Sequence, residues 1–142
     1  MRMTILLALL GLVFPSIAVA QTREATVYKD PNCGCCAAYV HYLEQNGFKV
    51  TVRNTANLTA IKRQHGVPEP LEGCHTTLVG GYVVEGHVPV TVLNKLLAEK
   101  PAIKGISLPG MPEGSPGMSG TKQEPFTIYE IGSDAQKVYA AE

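Results

Sequence analysis

The chain has no charge excess and no basic cluster. Its 142 residues carry twelve Lys and Arg against twelve Asp and Glu, a balance that does not suit a phosphate backbone as partner. After residue 20 no apolar run is long enough to cross a bilayer. No Ser-His-Asp set and no pair of catalytic carboxylates can be assembled. The glycines around Gly110 to Gly120 alternate with prolines and open no helix, so no phosphate-cradling loop is expected. The two well-separated C-x-x-C pairs of a structural zinc site are missing as well. Outside the first twenty residues there are only two methionines, Met111 and Met118, and four cysteines.

Residues 1–20 have the pattern of a secretory signal peptide. Arg2 is the basic start, Ile5 to Val13 is apolar, and Ala18-Val19-Ala20 is a small-residue cleavage site. The expectation is an exported protein, periplasmic after cleavage, with one domain over residues 21–142. Export places the cysteines in an oxidising compartment, where disulfides are the default.

Ala25 to Lys29 reads as a strand ended by the turn residues Asp30-Pro31-Asn32. Cys33-Gly34-Cys35-Cys36 follows, and Cys36 to Asn46 has helical spacing with Gly47 placed to cap it. Phe48 to Arg53 alternates as a half-buried strand. The spacing predicts a second helix over Leu58 to His65, N-capped by Asn57, whose exposed face carries Lys62, Arg63 and Gln64. Thr76 to Val79 and Tyr82 to Glu85 flank the hairpin signal Gly80-Gly81. Pro89 then opens a helix running to about Glu99. Cysteines after the first strand in a β-α-β-α-β-β-α order predict an α/β fold, a thioredoxin-like mixed sheet flanked by helices. The Gly/Pro-rich run from Lys104 to Glu124 is expected to form neither helix nor sheet. Phe126 to Ile131 and Lys137 to Ala140 read as a C-terminal strand pair.

Three thiols in four residues, handed from a strand to a helix N-terminus, favour reactive thiolates, because the helix end stabilises negative charge. Cys33 and Cys36 form a C-x-x-C pair suited to thiol–disulfide exchange, with Cys33 attacking and Cys36 resolving. Cys35 intrudes on that use, since a third thiol scrambles any disulfide formed. Soft-metal binding employs all four thiols, and thioethers beside thiolates select Cu(I). A tetrahedral zinc site is compatible with the thiols alone. Two disulfides, with Cys33–Cys36 and Cys35–Cys74 the favoured pairing, or one disulfide and two free buried thiols, explain the cysteine count but not the crowding. His75 and His87 are imidazoles able to complete a sulfur-rich site, and Met111 and Met118 lie in a loop that offers them little packing. His41 and His65 read as structural.

YKDPNCGCCAAYVHYLEQNGFKV, GCHTTLVGGYVVEGHVPV and LPGMPEGSPGM together resemble the CopG-like copper proteins of Gram-negative bacteria. That resemblance spans roughly Ala25 to Ile131. It implies an exported thioredoxin-like protein tied to copper resistance, with a multi-copper centre on Cys33, Cys35, Cys36 and Cys74. His75, His87, Met111 and Met118 fall in that neighbourhood. Copper, as Cu(I), is the implied ligand, and a copper efflux system or periplasmic metallochaperone the implied partner. A thiol–disulfide or copper oxidoreductase is the alternative function, and a disulfide-stapled interaction domain a third.

Overall fold

A computed structural model describes residues 23–132 and 136–142. The segment expected to be a signal peptide and residues 133–135 between the last two strands lie outside these residues. The elements run β1 (Arg23–Lys29), α1 (Gly34–Gln45), β2 (Phe48–Asn54), α2 (Leu58–Gln64), a 3-10 turn (Glu69–Leu71), β3 (His75–Val79), β4 (Tyr82–Gly86), α3 (Val90–Glu99), β5 (Gly105–Leu108), β6 (Thr127–Ile131) and β7 (Val138–Ala141). They build one mixed sheet of order β2-β1-β3-β4-β5-β6-β7. The α/β class, the thioredoxin-like core and the C-terminal strand pair are those expected from the sequence.

Local chemistry explains the order. β1 pairs parallel with β2, so α1 is the crossover between them. Gly80 and Gly81, both at positive φ, make the two-residue turn that joins β3 to β4. Asn57 Oδ1 accepts from the Ala60 amide and starts α2. Strand alternation then sorts side chains onto two faces: Val84 enters the main core and its neighbour Val83 a smaller one. The main core joins Val27, Val84, Ile106 and Ile128 of the sheet to Tyr39 and Leu43 of α1 and Leu93 and Leu96 of α3. On the other face Val67 and Leu71 cover Val83 and Ile131.

Two expectations need correction. The Gly/Pro-rich run does contribute to the sheet: Gly105–Leu108 is β5, fully buried, parallel to β4 and antiparallel to β6. Ile-Ser-Leu supplies the strand, and Gly105 is required because a Cβ there would strike the Val83 carbonyl at 1.8 Å. Lys62 is not on an exposed face but is buried at 4% exposure. Charge alone placed it outside, whereas a carboxylate within reach allows it inside. Among the described residues, no helix is long and apolar enough to cross a membrane.

Candidate metal centre

The site lies at one end of the sheet, where β1 finishes, β3 begins and β4 finishes. Lys29 stands opposite His75, and Thr76 opposite Glu85. From β1 the chain turns through Asp30 to Asn32 and enters α1, which starts at Gly34, two residues earlier than expected. Cys33 is the N-cap, its Sγ accepting from the Cys36 amide at 3.3 Å. Cys35 and Cys36 therefore occupy the first turn, where the helix dipole favours thiolate. Cys36 is fully buried, and Cys33 and Cys35 are half-buried.

Cys33 and Cys36 form a disulfide, with Cα atoms 5.3 Å apart, and Cys35 and Cys74 are free thiols. The Cys35–Cys74 bond of the two-disulfide arrangement is thus absent. Their Sγ atoms are 4.0 Å apart, and Cys35 Sγ is 3.5 Å from Cys33 Sγ. All four Sγ atoms lie within 4.8 Å of one another. Cys74, His75 and His87 make a second group, with donor atoms within the same distance of each other.

The two histidines meet Cys74 from the sheet side. His87 Nε2 is 3.0 Å and His75 Nδ1 3.3 Å from Cys74 Sγ. The Pro116 carbonyl, which can only accept, lies 2.7 Å from His87 Nδ1. That contact assigns the ring proton to Nδ1 and leaves Nε2 as a lone pair facing the thiol. His75 is fully buried, and its Nε2 has no hydrogen-bond partner among the described residues. Burial, with His87 beside it, pushes the His75 pKa down to about 3. Burial lowers that of His87 too, against the pull of the Pro116 carbonyl. Both rings are neutral, the form that ligates metals. Burial, reinforced by Cys35, pushes the Cys74 thiol up to about 12. Without metal it stays protonated, so binding a cation there must expel a proton. Tyr39 floors the imidazoles, with ring centroids 4.6 Å from His75 and 5.4 Å from His87, and donates its hydroxyl to the Val88 carbonyl at 2.8 Å.

Two glycines let the sheet-side donors converge. Gly73 precedes Cys74, Gly86 precedes His87, and a Cβ on Gly73 would lie 2.8 Å from Gly86 Cα. The β5–β6 loop closes the site from above. It has its own turn bonds, Met118 N–H to the Ser115 carbonyl at 2.8 Å and Gly114 N–H to the Ser119 carbonyl at 3.0 Å. Gly117 presses on α1 so closely that a Cβ would lie 2.9 Å from the Cys35 carbonyl oxygen. Met118, half-buried, follows directly, while Met111 is 42% exposed at the start of the loop. His41 is 78% exposed beside Glu44, and His65 lies near the Tyr28 ring.

Sequence reasoning missed Lys62, Glu85, Tyr39 and the Gly73–Gly86 apposition. The repeated pairing of glycine with a donor, Gly73-Cys74 and Gly86-His87, was the available signal. Soft thiols beside neutral imidazoles, one with an unpartnered nitrogen, make a donor set that fits a soft metal such as copper.

A family model described as a protein of unknown function, DUF411, matches residues 71–118. That span holds Cys74, both site histidines and both loop methionines, but not the helix cysteines. No curated protein matches the chain. Two solved structures, Form 2 and Form 1 of the copper resistance protein CopG, each share 39% identity and a TM-score of 0.77 with it. The alignments cover 86% of this chain and 99% and 98% of those chains, respectively. With that identity over nearly the whole of the solved relative, the chain belongs to the CopG family of copper resistance proteins.

Proposed function

We propose that this protein is exported to the periplasm and binds Cu(I) there as its cargo, more than one ion per chain. It sequesters the metal or relays it to a copper efflux system or metallochaperone. The observation that carries this reading is the set of four Sγ atoms within 4.8 Å of one another. A thiolate can bridge two soft ions, so crowded sulfurs suit several coppers better than one. His75 and His87 supply imidazole beside Cys74, and Met118, next to Gly117 in the loop that packs on α1, and Met111 are offered as further donors. For Cys33 and Cys36 to bind, an external dithiol reduces their disulfide by exchange, its two thiols becoming a disulfide while Cys33 and Cys36 become two thiols. Copper then replaces the thiol protons.

One arrangement favours a second reading, a thiol–disulfide or copper oxidoreductase. The Cys33–Cys36 disulfide has a half-buried first sulfur and a fully buried second one. That asymmetry suits Cys33 as the attacking and Cys36 as the resolving thiol. Cys35→Ser separates the two readings. It is expected to lower the bound Cu(I) per chain while the Cys33–Cys36 disulfide still forms and exchanges with a test thiol. Undiminished copper stoichiometry in Cys35→Ser would contradict the cluster.

A further inference from the structure

Behind the donor atoms lies an ion pair that ligates nothing. Lys62 and Glu85 are 4% and 0% exposed and bonded to each other. The Glu85 carboxylate is fully engaged. Its Oε1 accepts from Lys62 Nζ and from the Gly73 amide at 2.8 Å, and its Oε2 accepts from the Thr76 hydroxyl at 2.7 Å. Lys62 Nζ also lies 3.4 Å from Thr76 Oγ1. Two buried charges add little to stability that an apolar pair of similar volume would not match. Packing alone therefore does not explain them.

Their placement does. Gly73 is the residue before Cys74, and Glu85 stands two residues before His87 on β4. One carboxylate thus ties the backbone that carries Cys74 to the strand that carries His87, across the Gly73–Gly86 contact. Lys62, reaching in from α2, and Thr76 on β3 hold both carboxylate oxygens in place. We propose that Glu85 is a positioning residue, locked by Lys62 and Thr76, that fixes Cys74 Sγ at 3.0 Å from His87 Nε2 before metal arrives. The part of this inference that concerns copper rests on the reading above; the part that concerns the Cys74 thiol does not.

Two double variants of the full mature chain isolate the tether, since neither leaves a buried charge unpaired. K62M/E85Q keeps a side-chain oxygen for the Gly73 amide, and K62M/E85L removes it. Two readouts are taken on reduced protein. One is the rate of Cys74 alkylation by iodoacetamide without metal, located by peptide mass. The other is competition for Cu(I) against a coloured chelator, with thermal melting as the check on folding. For K62M/E85L we expect copper affinity about 10- to 100-fold weaker, the range for loss of a group that orients a metal ligand, and Cys74 alkylation faster by about tenfold. K62M/E85Q should stay within about threefold of the parent in both. Equal behaviour of the two folded variants would overturn the proposal. If K62M/E85L does not fold, Thr76→Val removes only the hydroxyl on Oε2 and should shift both readouts the same way by about threefold. No shift there also overturns it. A parent chain that binds no Cu(I) would remove the copper reading and leave the alkylation comparison standing.

Discussion

The donor atoms sit on two walls held in different ways. Cys33, Cys35 and Cys36 occupy a helix N-terminus, the first two half-buried and the third fully buried, where two of the three sulfurs already share a disulfide. Gly34 between them has free space around it. Half-buried Cys74 lies just before β3, and the fully buried His75 and His87 lie at the start of β3 and just past the end of β4. There glycine backbones touch, a carboxylate ties one strand to the other and a proline carbonyl fixes an imidazole. The helix wall can change its bonding without moving the fold, whereas the strand wall cannot move without unpacking it. A site that takes up and releases a soft metal, as proposed above, would gain from one adaptable wall and one preorganised wall.

The largest expected effect tests that difference directly. A Cβ on Gly86 would lie 2.5 Å from the Leu108 carbonyl oxygen, and its φ is +76°. Gly86→Ala should lose about 3 kcal/mol of stability in urea unfolding. Gly34→Ala on the helix wall should change it by less than about 1 kcal/mol, in the stabilising direction. Similar losses at both positions would erase the contrast.

Acid should act through the strand wall. The His75 pKa is pushed below its unfolded value of 6.5 to about 3, so the unfolded chain binds the extra proton between those values. Stability of the metal-free protein is then present above pH 6.5 and lost as pH falls toward 3. From pH 6.5 to 5 the loss should be about 2 kcal/mol. Glu85 acts with the opposite sign, because burial pushes its carboxyl up. The measurement is therefore the difference between parent and His75→Asn unfolding curves across that window, with the variant expected to be flatter.

Gly117→Ala tests how the loop joins the two walls. With φ at +85° and the Tyr39 nitrogen 2.7 Å from the new Cβ, the loop must lift from α1. The expected loss is about 2 kcal/mol, with Nδ1–H of His87 freed from Pro116, which proton exchange at that ring detects by NMR. The smallest effect belongs to Tyr39→Phe, which leaves the Val88 carbonyl without its 2.8 Å partner and should cost about 1 kcal/mol by thermal melting.

Much of the helix wall was legible in the sequence, because its signals are local. The turn Asp30-Pro31-Asn32, the C-x-C-C spacing and the helical period after it lie within one short stretch. Asn57, Gly47 and Gly80-Gly81 likewise mark ends that neighbouring residues determine. The strand wall was legible only as residue types. Cys74, His75 and His87 could be singled out, but their meeting depends on the register of β3 against β4 and on two glycine backbones in contact. Lys62 was misplaced for the same reason: its partner Glu85 is 23 residues away, and no local pattern announces it. β5 was overlooked because its flanking glycines and prolines masked four strand residues. What makes them a strand is the unpaired edge of β4 and the return of β6, both tertiary facts.

The most direct test of the central claim is an anaerobic Cu(I) titration of the reduced mature protein, with free thiols counted by alkylation in parallel. The two-wall site predicts more than one copper per chain and all four cysteines shielded from alkylation at saturation. No tight copper binding, with a Cys33–Cys36 disulfide that turns over a test substrate, would contradict it and leave the oxidoreductase.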